Sequence, residues 1–206
     1  MDTKKDKDEK IIITITSDKG GVGKSTLAAL IIEYLNFKNV PVNLVDADPI
    51  ATSKTWVDNC LENGRNVLSN NPKYLIIDTA GAIGAGLNWI NSATVVIVPF
   101  KPHYGDINTI WNWFECIGPH LQKKVIFVPN QYQKTNEQKE CILKIKTAID
   151  NVGYGYLLPS CISNRPAVYG PLFLGSDINF FAKNTDENVL NEIENLIKCV
   201  LKNERI

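Results

Sequence analysis

"SDKGGVGKST", residues 17–26, is the stretch on which the reading of this chain turns. It follows the phosphate-cradling pattern G-x-x-x-x-G-K-[ST] at Gly23, Lys24 and Ser25, but Asp18 stands where the first glycine belongs. A second lysine, Lys19, sits at its entrance. Before it runs "IIITITS" (residues 11–17), a β-branched stretch of the kind a buried parallel strand shows. After it, "KSTLAALIIEYLNFK" (residues 24–38) carries apolar residues at helical spacing. Glycines between a strand and a helix let successive backbone N–H groups turn inward as an anion-binding nest, to which the helix adds the positive end of its dipole. Lys24 then reaches β- and γ-phosphates, and the hydroxyl of Ser25 is placed to ligate magnesium. A glycine-rich turn without a ligand is the alternative; the strand before it and the helix after it argue against that.

The rest of the chain repeats the strand-then-helix alternation. "VPVNLVDADP" (40–49), "YLIIDTAG" (74–81), "ATVVIVPF" (93–100), "KKVIFVPN" (123–130) and "YGYLLPS" (154–160) are candidate strands, with room for crossover helices between them. The pattern predicts an α/β fold: a mostly parallel sheet flanked by helices on both faces. In such sheets ligands sit at the carboxyl ends of the strands, where the glycine loop, Asp46, Asp48, Asp78 and Asn130 all fall.

Composition narrows the function class. With 206 residues, 44% hydrophobic and 21% charged, the chain reads as a polar N-terminal tail (residues 1–10, "MDTKKDKDEK") and one domain over residues 11–206. The tail has no apolar core of the kind a signal peptide needs, and no apolar run is long enough to span a membrane. A formal net charge of +0 argues against a surface that is basic throughout, while leaving room for a local basic patch. The five cysteines are scattered, without a C-x-x-C pair, which suits a reducing cytoplasm.

The string "KGGVGKST" resembles the deviant Walker A motif of the ParA/MinD family of P-loop ATPases, where the early lysine is the signature residue. The resemblance implies the P-loop NTPase fold of that class, with ATP and Mg2+ as cofactors and hydrolysis to ADP and phosphate. It implies a nucleotide site over Gly20, Gly21, Val22, Gly23, Lys24, Ser25 and Thr26. It also implies two subunits sandwiching two ATP molecules, with Lys19 crossing to the partner's nucleotide. A cation supplied in trans stabilises charge on a transferring phosphoryl group much as an arginine finger does, and makes ATP binding and dimerisation one event.

Two further motifs carry the resemblance. "VDADP" (45–49) is similar to the family's second-strand motif, which gives Asp48 the role of orienting the attacking water and Asp46 that of helping hold magnesium. An aspartate of low pKa acts there more by positioning than as a true base. "YLIIDTAG" resembles Walker B and its switch segment, with Asp78 turned towards the metal through a water. Lys19, Lys24 and Asp48 are the expected catalytic residues, and Ser25, Asp46 and Asp78 the expected metal residues. Asn130 matches a position that contacts adenine, with Pro159 and Ser160 nearby. A lone strand-ending aspartate is usually a turn former, but three such motifs stand here in order.

"VDADPIATSKTW", "IVPFKPHYGDI" and "NRPAVYGPLFLGSDINFF" look most like short plasmid-partition ATPases typified by ParF, with VirC-type conjugation proteins as relatives. About ten polar residues precede the first strand, too few for a helix-turn-helix domain, so autorepression is not expected. The family's ATP-bound dimer binds DNA without sequence preference, and a centromere-binding adaptor stimulates hydrolysis and release. That implies a cytoplasmic, nucleoid-associated protein. Asp18 before the signature lysine, and Ile50 in place of the glutamine that often follows "DP", depart from the common pattern without removing a catalytic group.

Arg165, Lys183, Lys198 and Lys202 are candidates for DNA phosphate contacts, against the reading that such lysines form a solvated face. "IWNWF" (110–114) is either an exposed partner patch or a packing cluster on the sheet or dimer interface. Leu190, Ile193, Leu196, Ile197, Val200 and Leu201 share one face of a C-terminal helix. Glu192 and Glu194 lie close to that face and its polar side is not lysine-rich, so a core helix is expected rather than a membrane anchor. Two functions remain: an ATP-driven DNA-segregation motor, and an ATP-gated scaffold of MinD or VirC type that positions a membrane or conjugation complex. A ligase of the dethiobiotin synthetase type shares the fold but suits the signature lysine and "DADP" less well.

Overall fold

All six candidate strands form, and they pair into a single parallel sheet. The computed structural model describes residues 10–81, 84, 86–176, 181 and 187–203. The strands are β1 (Ile11–Ile15), β2 (Val42–Ala47), β3 (Tyr74–Thr79), β4 (Val95–Phe100), β5 (Val125–Pro129) and β6 (Tyr156–Leu157), in the order β2-β3-β1-β4-β5-β6. The described helices are α1 (Lys24–Phe37), α2 (Thr52–Glu62), α3 (Leu87–Ser92), α4 (Tyr104–Cys116), α5 (Pro119–Gln122), α6 (Asn136–Val152), α7 (Pro166–Leu172) and α8 (Glu187–Asn203).

The near-continuous apolar runs of the strands follow from cover on both faces. Successive side chains of one strand enter different cores, as a period of two requires. Val95 and Ile97 of β4 and Ile126 and Val128 of β5 face one cluster with α1, α2 and α8; Val96, Val98, Phe100, Val125 and Phe127 face the other, with α4 and α6. In α4 the inward face is Ile107, Ile110, Trp113 and Phe114, and the Phe114 ring meets Phe127 edge-on at 5.1 Å. The "IWNWF" stretch is therefore packing on the sheet. Helix α8 buries Val189, Ile193, Leu196, Ile197 and Val200 in the core with α1, which makes it the core helix expected.

Strand register brings the chemistry to one level. Ile15, the last residue of β1, and Asp46 of β2 both pair with Asp78 of β3, so the glycine loop, the β2 turn and Asp78 emerge side by side. Beyond β5, the backbone N–H of Asn130 donates to the Phe100 carbonyl (2.8 Å), and a parallel bridge between Tyr132 and Ser163 holds the following loop beside the start of α1.

Candidate functional site

The loop between β1 and α1 is clamped from two sides. Gly21 and Gly23 adopt left-handed backbone (φ 70 and 90), which a side chain would oppose. On the β5 side the Asn130 amide donates to the Val22 carbonyl (2.7 Å) and the Gln131 amide to that of Gly21 (2.9 Å). A Cβ on Gly23 would collide with the side-chain amide nitrogen of Asn130. On the β3 side a Cβ on Gly81 would lie 2.8 Å from the Lys24 ammonium and 2.9 Å from the Gly20 backbone. Beside Gly20 and Gly21 there is open space. That space is a cavity of about 560 Å3 lined by the loop, Ser25, Thr26, Asp48, Pro49, Ile50, Gly81 and Phe173. The first intrahelical bond of α1 is Leu27 N–H to the Gly23 carbonyl, so the N–H groups before it belong to the helix end that binds anions.

Lys24 is buried and donates to the Lys19 carbonyl at 3.3 Å. Burial lowers its pKa, against the pull of Asp78 and Asp48 in the other direction. Asp78 is fully buried, and neither carboxylate oxygen has a hydrogen-bond partner. Burial pushes its pKa up to about 6, although the Ser25 and Ser53 hydroxyls and Lys24 pull it down, and Asp46 adds to the rise. An orphaned carboxylate beside the Ser25 hydroxyl fits a hydrated divalent cation. Among the described residues no group of three or more His, Cys, Asp or Glu could hold a metal alone, so the fit is to an ion that shares oxygens with water and phosphate.

Asp46 is placed differently from the expectation. Its carboxylate accepts from Asp48 N (3.0 Å), Ser53 Oγ (2.7 Å) and Lys54 N (2.8 Å), and so braces the β2 turn. Ala51, at the N-cap of α2, has no side chain to cap it; Asp46 supplies the missing acceptor from five residues upstream. These hydrogen bonds make Asp46 a brace of the β2 turn, beside Asp78, whose pKa it helps raise. Asp48 accepts from Ile50 N (3.0 Å) and stands at the cavity wall.

The remaining candidates divide. Asn130 borders a second cavity of about 210 Å3 behind the loop, with Gln131, Ser163, Asn164, Pro166 and Tyr169. Pro159 is not brought there: it lines a separate cavity with Ser160, Asn195 and Lys198, because the chain returns to the loop only at residues 163–169. Arg165 is corrected as a free DNA cation, since its guanidinium grips Glu192 of α8 at 2.6 and 3.0 Å. Lys198 is exposed, with Glu194 at 3.7 Å. Lys183 and the side chain of Lys202 lie outside the described residues.

Sequence reasoning missed Gln131, Gly81 as a spacer for Lys24, and Phe173. Phe173 follows α7 and is held over the cavity because α2 ties down its segment: Asn59 donates to the Phe173 carbonyl (2.8 Å), Asn63 to Leu174 (3.2 Å) and Arg65 to Gly175 (3.1 Å). No local sequence signal marks such a contact. Asp18, the departure from the common loop, accepts from Gly84 N at 3.4 Å and so ties the loop to the segment after β3.

The CobQ/CobB/MinD/ParA nucleotide binding domain family matches residues 13–170. An iron-sulfur cluster carrier protein of Rickettsia typhi is 56% identical over 39 residues, 19% of this chain and 12% of that protein. Protein ParA of Rhizobium radiobacter is 38% identical over 47 residues, 23% of this chain and 21% of its own. These matches thus span only a small part of either relative. Among solved structures, a candidate plasmid partition protein of Borrelia burgdorferi B31 bound to AMPPNP superposes with a TM-score of 0.70 at 19% identity, covering 94% of this chain and 99% of that one. The MinD cell division protein of Aquifex aeolicus gives 0.67 at 17% identity, over 91% and 97%. Cobyrinic acid a,c-diamide synthase of Mycobacterium smegmatis, with ADP and magnesium, gives 0.54 at 18% identity, over 81% and 92%. At these identities the structures establish the fold.

Proposed function

The chain belongs to the CobQ/CobB/MinD/ParA nucleotide-binding family, and from that premise we propose that it is a ParA-like, Mg2+-dependent ATPase of DNA segregation. In this reading ATP pairs two subunits face to face, the pair holds DNA without sequence preference, and hydrolysis, stimulated by a centromere-binding adaptor, releases it. The observation that carries the ATPase reading is the fully buried, unpartnered Asp78 carboxylate beside Ser25, under a glycine loop whose Lys24 faces the same cavity.

Each residue has a task. The loop amides and Lys24 bind the β- and γ-phosphates, and Gly81 and Phe173 help shape the cavity that receives them. Ser25 offers its hydroxyl, and Asp78 an oxygen through water, to a magnesium ion that would draw charge from the phosphates. Asp48 orients the attacking water, and its contribution is one of position. Asn130 fixes the loop and borders the cavity proposed for the base. Lys19 acts on the nucleotide of the facing subunit. Substituting Lys24→Ala abolishes nucleotide binding, whereas Lys19→Ala leaves monomeric binding and removes ATP-dependent pairing.

Retention of random-sequence duplex DNA tests the DNA arm. It is measured without nucleotide, with ADP, and with a non-hydrolysable ATP analogue, each at two salt concentrations. Retention only with the analogue, falling steeply with salt, is expected. No retention in any state would overturn the motor and favour the positioning scaffold, a reading supported by the internal engagement of Arg165. Membrane attachment through α8 is disfavoured because its apolar face is already buried, and no described helix is long and apolar enough to cross a membrane.

A further inference from the structure

Lys19 is held in the free chain. Its ammonium donates to the carbonyl of Gly105 at 3.3 Å and to the carboxylate of Asp106, both in the first turn of α4. The side chains are 34% and 17% exposed, so the pair sits at the edge of the protein, partly shielded from water. Asp106 is suited to its place, because a negative charge in the first turn of a helix meets the positive end of the dipole. Gly105 presents no side chain, and the space beside it is open, which leaves the ammonium a clear approach.

The second lysine is linked to the first. Lys24 donates to the backbone carbonyl of Lys19. The two residues therefore form a chain of contacts, from Lys24 to the Lys19 carbonyl and from the Lys19 ammonium to α4. A phosphate that takes Lys24 removes the inner contact and leaves Lys19 held only by Gly105 and Asp106. One ammonium cannot lie on α4 of its own subunit and reach a phosphate in the facing subunit at once.

We propose that Asp106, with the Gly105 carbonyl, is an internal latch for Lys19. It is a positioning residue that holds the signature lysine against its own subunit, and ATP-driven pairing must break this contact twice, once in each subunit. The latch sets the protein concentration at which ATP-loaded copies associate and keeps the lysine from loose contacts until Lys24 is occupied. This rests on the reading of Lys19 as a residue that acts on a partner's nucleotide.

The test is sedimentation of the full chain with Mg2+ and a non-hydrolysable ATP analogue over a range of protein concentrations, for wild type, Asp106→Asn, Asp106→Ser, Lys19→Ala and the double variant Lys19→Ala/Asp106→Asn. Two Asp106 variants are used so that a folding defect in one does not decide the result. An ion pair at the protein edge is worth about a factor of five, so losing both latches tightens the dimer by about twenty-five-fold in each Asp106 variant. Lys19→Ala and the double variant stay monomeric. Unchanged or weaker association in both Asp106 variants, with Lys19→Ala monomeric, would overturn the latch and leave the lysine's role standing. Full dimerisation of Lys19→Ala would instead overturn the trans-acting lysine itself. Tightening that persists in the double variant would place the effect of Asp106 elsewhere and overturn the latch.

Discussion

Replacing Asp78 by asparagine makes the nucleotide-free protein more stable while disabling its site. The carboxylate is fully buried, neither oxygen has a hydrogen bond, and burial raises its pKa from 3.8 to about 6. The folded state therefore holds a proton that the unfolded state releases throughout that window, so stability falls as pH rises from about 4 to about 6 and is flat above. The gap of about two pH units, at about 1.4 kcal/mol each, amounts to about 3 kcal/mol at neutral pH. Asparagine has nearly the same shape and carries no charge, so it removes this penalty. For a chain of this length the gain corresponds to a rise in Tm of about 6–12 °C.

The assay is thermal and urea unfolding of wild type and Asp78→Asn with chelator present and nucleotide absent, between pH 4.5 and 8. The advantage of the variant should be largest at pH 7 and above and shrink towards pH 4.5. In the same preparation, added Mg2+ and nucleotide should stabilise wild type and not the variant. A variant no more stable than wild type at pH 7.5, or an advantage independent of pH, would refute the reasoning.

Gly81→Ala should fold normally and bind nucleotide at least about tenfold more weakly by titration, because the new methyl meets the Lys24 ammonium and the Gly20 backbone below 3.0 Å. Asp46→Ala should lower stability by about 1–2 kcal/mol in urea unfolding, since three donors around the start of α2 lose their acceptor; a variant that lost only metal dependence would contradict the role of brace. Arg165→Ala should cost about 1–3 kcal/mol of stability by leaving Glu192 with only its Ser163 donors and no cation, with DNA retention per folded molecule unchanged; a selective loss of DNA binding would restore it as a contact. Asp48→Ala should reduce turnover by about a hundredfold or more and hold the protein in its ATP-bound dimer, and rapid turnover would refute the placing of water by Asp48.

What could be read from the sequence was what local chemistry dictates. β-branched runs buried on both faces announced β1, β4 and β5 most clearly, and the glycine loop announced itself because glycine accepts the left-handed backbone that Gly21 and Gly23 adopt. Asp46 was read as a metal residue because its motif places it next to Asp48. The structure adds a role that the motif does not announce: Ala51 leaves the start of α2 without a side-chain cap, and the turn after β2 folds back so that Lys54 N and Ser53 Oγ reach the Asp46 carboxylate. Arg165 and Pro159 were misplaced for the same kind of reason. Their surroundings come from α8 and from the loop after β5, distant in sequence and adjacent only after folding. A charge pattern can name a cation but cannot tell whether a glutamate 27 residues on has already engaged it.

The arrangement in the free chain also explains why nucleotide and cation need each other. Lys24 sits buried with only a backbone carbonyl for a partner, and Asp78 sits buried with none. Lys24 and Asp78 attract each other across the site without a hydrogen bond between them, so each keeps hydrogen-bonding capacity that the protein leaves unused. A nucleotide alone satisfies Lys24 but brings its phosphates towards the unscreened Asp78. A divalent cation alone finds one carboxylate and one hydroxyl, since Asp46 is engaged at the turn and no cluster of ligands exists among the described residues. Bound together they would satisfy both groups, Lys24 holding phosphate and Asp78 and Ser25 offering oxygens to the cation. Under the proposed function, binding of either is expected to be cooperative with the other, which titration of nucleotide with and without Mg2+ measures.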